Sequence, residues 1–288
     1  MIEIKNLEFA YTKNKKLFEN LTMKFNPGSI YGLLGKNGSG KTTLMKLISG
    51  LRYPQAGSIL IDSVDSSGRL PAYLSKIFLI PEEFDFPSIS IDSYIRLYSP
   101  FYQNFQDTQF EYYLTEFEVA RHSIITKLSL GQKKKFLLAF GLACNTAVLL
   151  MDEPTNGLDI PSKVQFRKIL ASLVDDKRIF IISTHQVKDI EDIIDNISII
   201  NQGKLRFSAN LKDISETLVF GDNEELGIDE SDIIYKELQL GTYRIVGKNV
   251  FSQNTYPDLE LLFNAVINDS EKINNTFNNI KSDNYVTI

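Results

Sequence analysis

The octapeptide GKNGSGKT, Gly35 to Thr42, joins an apolar, strand-like stretch (Ser29 to Leu34) to a helix-like segment running from Lys41 to about Ser49. Its spacing of glycine, four residues, glycine, lysine and threonine is that of a phosphate loop, and it lies between strand and helix as such a loop must. Glycines let successive backbone N–H groups turn inward on phosphate oxygens, and the following helix adds its partial positive end. Gly35, Lys36, Asn37, Gly38, Ser39, Gly40, Lys41, Thr42 and Thr43 are therefore expected to line a phosphate site. Lys41 would neutralise β and γ phosphates, and the Thr42 hydroxyl would hold Mg²⁺. The rival reading, a turn that contains lysine by chance, does not account for the strand before it and the helix after it.

Such a loop belongs to an α/β fold, and the rest of the chain agrees. Period-two patterning marks strands near Ile2 to Phe9 and Leu21 to Phe25. Farther on, apolar runs at Val148, Ile179 and Ile197 alternate with helical patterns over Pro161 to Val174 and Val187 to Ile194, which indicates crossover units and a largely parallel sheet. Between them, from Glu83 to about residue 146, the texture is helical, and to Lys127 it is rich in aromatics, as expected of an inserted helical subdomain. Past residue 208 the composition turns polar, with strand-like TYRIV from Thr242 and helix-like DLELLFNAV from Asp258. The expected division is 1–208 for a nucleotide-binding domain and 209–288 for a small α+β appendage remote from the motifs.

A second chemical feature follows the run AVLLM, which ends in Asp152 and Glu153. Paired carboxylates at the end of a buried strand call for a cation: Asp152 is placed to hold Mg²⁺ and Glu153 to polarise an attacking water. An acidic turn is the alternative, weakened by the phosphate loop upstream.

LSLGQ, Leu128 to Gln132, lies just before a helix that leads to the Asp152 strand, and it resembles the LSGGQ signature of the ATP-binding cassette (ABC) family. Over about residues 1 to 208 the motif order is similar to that of the family's nucleotide-binding subunits. The resemblance implies a P-loop cassette with a mixed sheet, ATP and Mg as cofactors, and an ATPase. It also implies that Tyr11 stacks on adenine, with an exposed turn tyrosine as the alternative. NGLD, Asn156 to Asp159, resembles the loop that crosses between subunits, and His185 matches the histidine that bonds the γ phosphate. Ser129, Gly131 and Gln132 would reach the ATP of an opposite subunit. Leu130 departs from the pattern, standing where a glycine is usual. Glu82 also departs, standing where a glutamine commonly senses Mg²⁺ and the membrane partner, and is carried over as a weaker metal residue. The implied partners are a second cassette, in a homodimer formed on ATP binding, and an integral membrane permease docked on the aromatic subdomain. The expected place is cytoplasmic, peripheral on the inner face of the cell membrane, with export favoured by the single cassette, the short C-terminal piece and Glu82.

Composition removes several rivals. No apolar run approaches the about 18 residues of a membrane-spanning helix. The net charge of −5 speaks against broad nucleic-acid binding, so no nucleic acid is expected as partner. A soluble ABC ATPase acting on nucleic acid or ribosomes remains the alternative, opposed by the short interval between phosphate loop and signature, which lacks sustained heptads. The single cysteine, Cys144, reads as a buried structural thiol, and His122 as a surface residue. The run Lys133 to Lys135 reads as a solvated helix face.

Overall fold

The computed structural model describes residues 1–12, 15–239, 241–250 and 255–286. β1 (Ile2–Thr12) and β2 (Lys15–Phe25) pair antiparallel, and β3 (Ser29–Leu34) runs through the glycine-rich turn into α1 (Lys41–Ile48). β4 (Ala56–Ile61) and β5 (Val64–Asp65) complete an antiparallel sheet of order β2-β1-β4-β5. α2 (Pro71–Leu74), β6 (Ile77–Ile80), α3 (Ile91–Tyr98), α4 (Asp107–Glu116) and α5 (Leu130–Ala143) follow. The chain then alternates: β7 (Val148–Asp152), α6 (Ile160–Ser172), β8 (Ile179–Thr184), β9 (Asn196–Asn201) and β10 (Lys204–Asn210). These strands build a second sheet of order β10-β9-β3-β8-β7-β6, parallel except for β10. The α/β architecture with a mixed sheet is as expected. β7 and β8 are buried along their whole length, which is why they read as unbroken apolar runs rather than alternating ones.

Two cores flank the larger sheet. One is shared with α1 and the antiparallel sheet and includes Phe18, Leu44, Ile48, Leu150 and Ile181. The other lies under the helical insertion, where Phe86, Tyr94, Phe110, Phe136 and Phe140 interlock; the rings of Tyr94 and Phe136 stand edge to face at 5.2 Å. Most aromatic rings of the insertion fill this core, but Leu97, Tyr98, Phe101 and Tyr112 remain exposed. Cys144 is buried beside them, and burial pushes its thiol pKa up.

Four expectations are corrected. The hairpin strands extend beyond Phe9 and begin before Leu21, because Ala10 to Thr12 and Lys15 to Asn20 pair although their side chains do not alternate. Val187 to Ile194 is not a helix but a 3₁₀ turn, Val187–Asp189, followed by turns. Its ends are held from outside: the Asp189 carboxylate by Lys163 at 2.7 Å, and Asp195 by the Ile30 amide at 2.8 Å. These anchors and the packing around the segment, not its apolar spacing, set the backbone there. Lys133 to Lys135 is not a solvated face, since Lys134 and Lys135 are buried. α5 is buried nearly all round from Lys134 to Ala143, so it has no polar side on which to place them.

The fourth correction concerns the appendage, which comprises α7 (Leu211–Thr217), β11 (Leu218–Asp222), α8 (Asn223–Leu226), β12 (Ile233–Gln239), β13 (Thr242–Lys248), α9 (Leu259–Asn268) and α10 (Ser270–Val286). Its sheet is ordered β11-β13-β12. The boundary falls after Asn210 rather than at 208, because β10 is a strand of the main sheet and Asn210 caps α7. Nor is the appendage remote: α9 packs on β9, β10 and the 3₁₀ turn after His185, and Leu259, Leu262 and Val266 join the same core as Ile197 and Phe207. Polar composition hid this, because a few apolar residues on α7, α9 and α10, such as Ile214, Leu262 and Phe277, suffice for the contact.

Candidate functional site

β3 is buried from Ile30 onward and delivers the chain to Gly35, where a Cβ would lie 2.4 Å from the Ile200 carbonyl and from Ser39 Oγ. Gly40 takes φ +112, open to glycine but strained for other residues, and turns the backbone into α1. The loop that results curls around Lys41. The ammonium of Lys41 donates to the Gly35 carbonyl at 2.7 Å and to the Lys36 carbonyl at 3.4 Å. Burial lowers its pKa, against the pull of Glu153, Asp152 and Glu82. Ser39 Oγ is buried without a hydrogen-bond partner among the described residues. An orphaned hydroxyl and an ammonium satisfied only by carbonyls are what a phosphate-bearing ligand would complete, so the cradle fits the group that the sequence implies.

A cavity of about 510 Å³ opens over this loop. Its wall carries Asn37 to Thr43 together with Tyr11, Glu82, Asp152 and Glu153. Tyr11 is 56% exposed; its hydroxyl lies 2.9 Å from Thr43 Oγ1 and its ring stands edge-on to Phe9. The Arg52 guanidinium lies over this ring, 5.5 Å from its centroid. Lys15, Lys16 and Leu17 of β2 share the same wall. They were not singled out in the sequence, where KKLF carries no motif; only the pairing of β2 with β1 brings them beside Tyr11.

The acidic pair is held by β8. Asp152 ends β7 and accepts a hydrogen bond from Ser183 Oγ. Glu153 follows at φ +46, in the left-handed region, which is uncommon outside glycine and turns its side chain away from the strand direction. Only 4% of it is exposed. Its Oε2 accepts from Thr184 Oγ1 at 3.0 Å, and its Oε1 accepts from the His185 amide at 3.0 Å and from His185 Nδ1 at 2.7 Å. Ser183 and Thr184 lay in a run legible as a strand, with no signal in the sequence that their hydroxyls serve the carboxylates.

Lys134 is the largest omission. Only 2% exposed, it donates to the Pro81 carbonyl at 3.1 Å and to the Asp152 carbonyl at 3.5 Å, tying the Glu82 loop to the end of β7. Burial pushes its pKa down to about 8, although Asp152, Glu82 and Glu153 pull the other way. Glu82 accepts from Asn156 Nδ2 at 3.2 Å. Among the described residues no three His, Cys, Asp or Glu cluster to hold a metal alone. A cation here would take Thr42 and Asp152, with Glu82 near, and complete its shell from phosphate and water.

The signature residues stand apart from this wall. Ser129 caps α5 in a reciprocal box with Gln132, its Oγ accepting from the Gln132 amide at 3.2 Å. Gly131 closely approaches Gly157 of the NGLD loop, whose carbonyl oxygen would lie 3.0 Å from a Cβ there. Leu130 projects into solvent at 70% exposure. Asp159 caps α6 and pairs with Lys135 at 3.2 Å, and the bonds from Ser162, with that pair, hold its carboxyl pKa down at about 2. Ser129, Gly131, Gln132 and Asp159 are not on the wall around Lys41 within one chain. His185 is not on that wall but is bonded to Glu153, which is. His122, exposed and paired with Asp92, is the surface residue expected.

The geometry finds its counterparts among known proteins. Residues 18–156 match the family described as ABC transporter. The ABC transporter ATP-binding protein YtrB of Bacillus subtilis (strain 168) is 28% identical over 81% of this chain and 82% of its own length. The SkfA peptide export ATP-binding protein SkfE of the same organism is 30% identical over 71% of this chain and 87% of its own. A solved dimeric ATP-binding cassette in a post-hydrolysis state, bound to ADP and Pi, superposes with a TM-score of 0.65 at 21% identity, covering 73% of this chain and 99% of that one. With its phosphate loop, acidic pair and signature helix in this arrangement, the chain belongs to the ABC transporter ATP-binding proteins.

Proposed function

We propose that the chain binds Mg·ATP in the cavity over Asn37 to Thr43, hydrolyses it only as a head-to-tail homodimer, and drives a separate membrane permease, in the direction of export. One observation carries the reading: the buried Glu153 carboxylate, fixed by Thr184 and His185, faces the same cavity as Lys41 and Asp152. Bound Mg²⁺ would supply charge neutralisation for the phosphates. The protein's own groups do the rest. Tyr11 stacks on the base, Lys41 holds β and γ oxygens, and Glu153 accepts a proton from the attacking water while the Thr184 and His185 bonds keep its carboxylate aimed. Because Ser129 and Gly131 lie off the wall, the site is completed by a second copy. Exposed Leu97, Tyr98, Phe101 and Tyr112 are the surface offered to the permease. No helix among the described residues is long and apolar enough to cross a membrane, in keeping with a separate permease that would hold the chain at the inner membrane face. The acidic net charge and the peptide-export relative favour transport over nucleic-acid work.

Glu153→Gln is the test. The variant should bind ATP, hydrolyse it at least about a hundredfold more slowly, and accumulate as a dimer in light scattering with Mg·ATP. Parental turnover would remove Glu153 from its role as base. A monomer with ATP bound would remove the homodimer, and Lys41→Ala turning over like the parent would remove the phosphate site itself.

A further inference from the structure

Beside the phosphate loop lies a second cavity of about 270 Å³, whose wall includes Thr184 and His185, the two residues bonded to Glu153. Gly35, Asn37, His185 and Val187 line it from the cassette, and Phe263 of α9 lines it from the appendage. Phe263 is half-buried, and the face of α9 beside it, Leu259, Leu262 and Val266, is packed in one core with Val187 and Ile190. Two further contacts strap the segment that follows His185 to the appendage. The Tyr256 hydroxyl donates to the Glu191 carbonyl at 3.0 Å, and Lys188 pairs with Glu260 at 3.3 Å.

From this arrangement we infer that α9 positions the His185 segment, with Phe263 as its contact beside the phosphate loop, so that the appendage sets the rate of hydrolysis. The segment has little structure of its own, a single 3₁₀ turn, so tertiary packing decides where it sits. His185 sends both its amide and its ring Nδ1 to one oxygen of Glu153, so a shift of the segment shifts the carboxylate as well. Misplacement of a catalytic group by a fraction of an ångström to an ångström is worth about ten- to a hundredfold in rate. Phe263 is thus a positioning residue, acting through His185 and Glu153 and touching no phosphate. A partner that moves the appendage would change turnover without entering the nucleotide cavity. The inference rests on the ATPase reading above.

The test uses the full chain. Phe263→Ala should lower kcat for Mg·ATP about tenfold or more while KM stays within about twofold, and Phe263→Leu should recover most of the loss. The chain has two histidines, so the ring of His185 can be followed by NMR with labelled histidine, and His122 is the internal control. In Phe263→Ala the His185 resonances should move and those of His122 should not. Tyr256→Phe, which deletes one exposed hydrogen bond and leaves the core intact, should lower kcat about twofold or more; it carries the test if Phe263→Ala is insoluble. Unmoved His185 resonances, parental kcat in a folded Phe263→Ala or Tyr256→Phe, or a parallel decline of kcat, affinity and melting temperature that leucine does not restore would each overturn the inference. A parent that hydrolyses no ATP overturns the ATPase reading and the inference with it; a parent that hydrolyses while the variants match it overturns the inference alone.

Discussion

At the scale of the residue, Lys134 shows how far a side chain's role can lie from its sequence context. Three consecutive lysines on a helix point in three directions, and nothing in the run says which of them meets water. The fold decides it by burying α5, so one ammonium ends between the carbonyls of Pro81 and Asp152 and another beside Asp159. A buried ammonium should leave a mark on stability. The unfolded chain keeps the Lys134 proton up to the ordinary value of 10.5, the folded chain only to about 8. Between these the unfolded state binds more protons, so folding stability rises with pH, and the full cost of burying the charge is carried below about pH 8. Urea unfolding at a series of pH values should show Lys134→Met gaining on the parent at neutral pH and the gap closing towards pH 10; a gap independent of pH would mean that the ammonium is not desolvated. By contrast Lys41, Asp152 and Glu153 were legible, because a glycine spacing or the end of an apolar run fixes their place. Ser183, Thr184 and Lys16 were not, since hydroxyls and lysines occur everywhere and acquire a role only when strands pair.

Elements carry more than one duty, and the signature helix is the clearest instance. Ser129 is read from the sequence as a group for a neighbour's ATP, yet within its own chain it is the N-cap of α5, bonded to Gln132. Deleting the cap in Ser129→Ala should cost about 1 kcal/mol of stability, measured by denaturant unfolding. Aspartate caps a helix as well as serine does and suits its positive end. Ser129→Asp should therefore keep parental stability while bringing a negative charge to where the proposed head-to-tail pairing would set the phosphates of the opposite subunit. Its expected signature is normal ATP binding by the monomer with loss of the ATP-driven dimer in light scattering; persistence of that dimer would place the signature away from the second nucleotide. Element positions were largely legible where a parallel strand is buried on both faces, as for β7 and β8. The turn after His185 was not, because its apolar spacing fits a helix and only the anchors at Asp189 and Asp195 stretch it.

For the whole molecule, the division at residue 208 caught a change of composition and missed a continuous core. Leu259, Leu262 and Val266 are buried against strands of the main sheet, each such side chain contributing about 1.5–3 kcal/mol. A chain ending at Asn210 would expose the face that α9 covers, and it should aggregate or melt far below the parent rather than persist as a free ATP-binding cassette. Leu262→Ala should cost about 2–5 kcal/mol by thermal or denaturant unfolding, in step with a core position and not a peripheral one. A shortened chain that melts with the parent and binds ATP would restore the view of the appendage as a remote addition. The burial of Cys144 has a different consequence. With its one thiol buried, the folded protein offers thiol-selective reagents no target, so labelling of Cys144 proceeds through opening of the helical core. The rate at which iodoacetamide takes up Cys144 is thus a built-in clock for that opening.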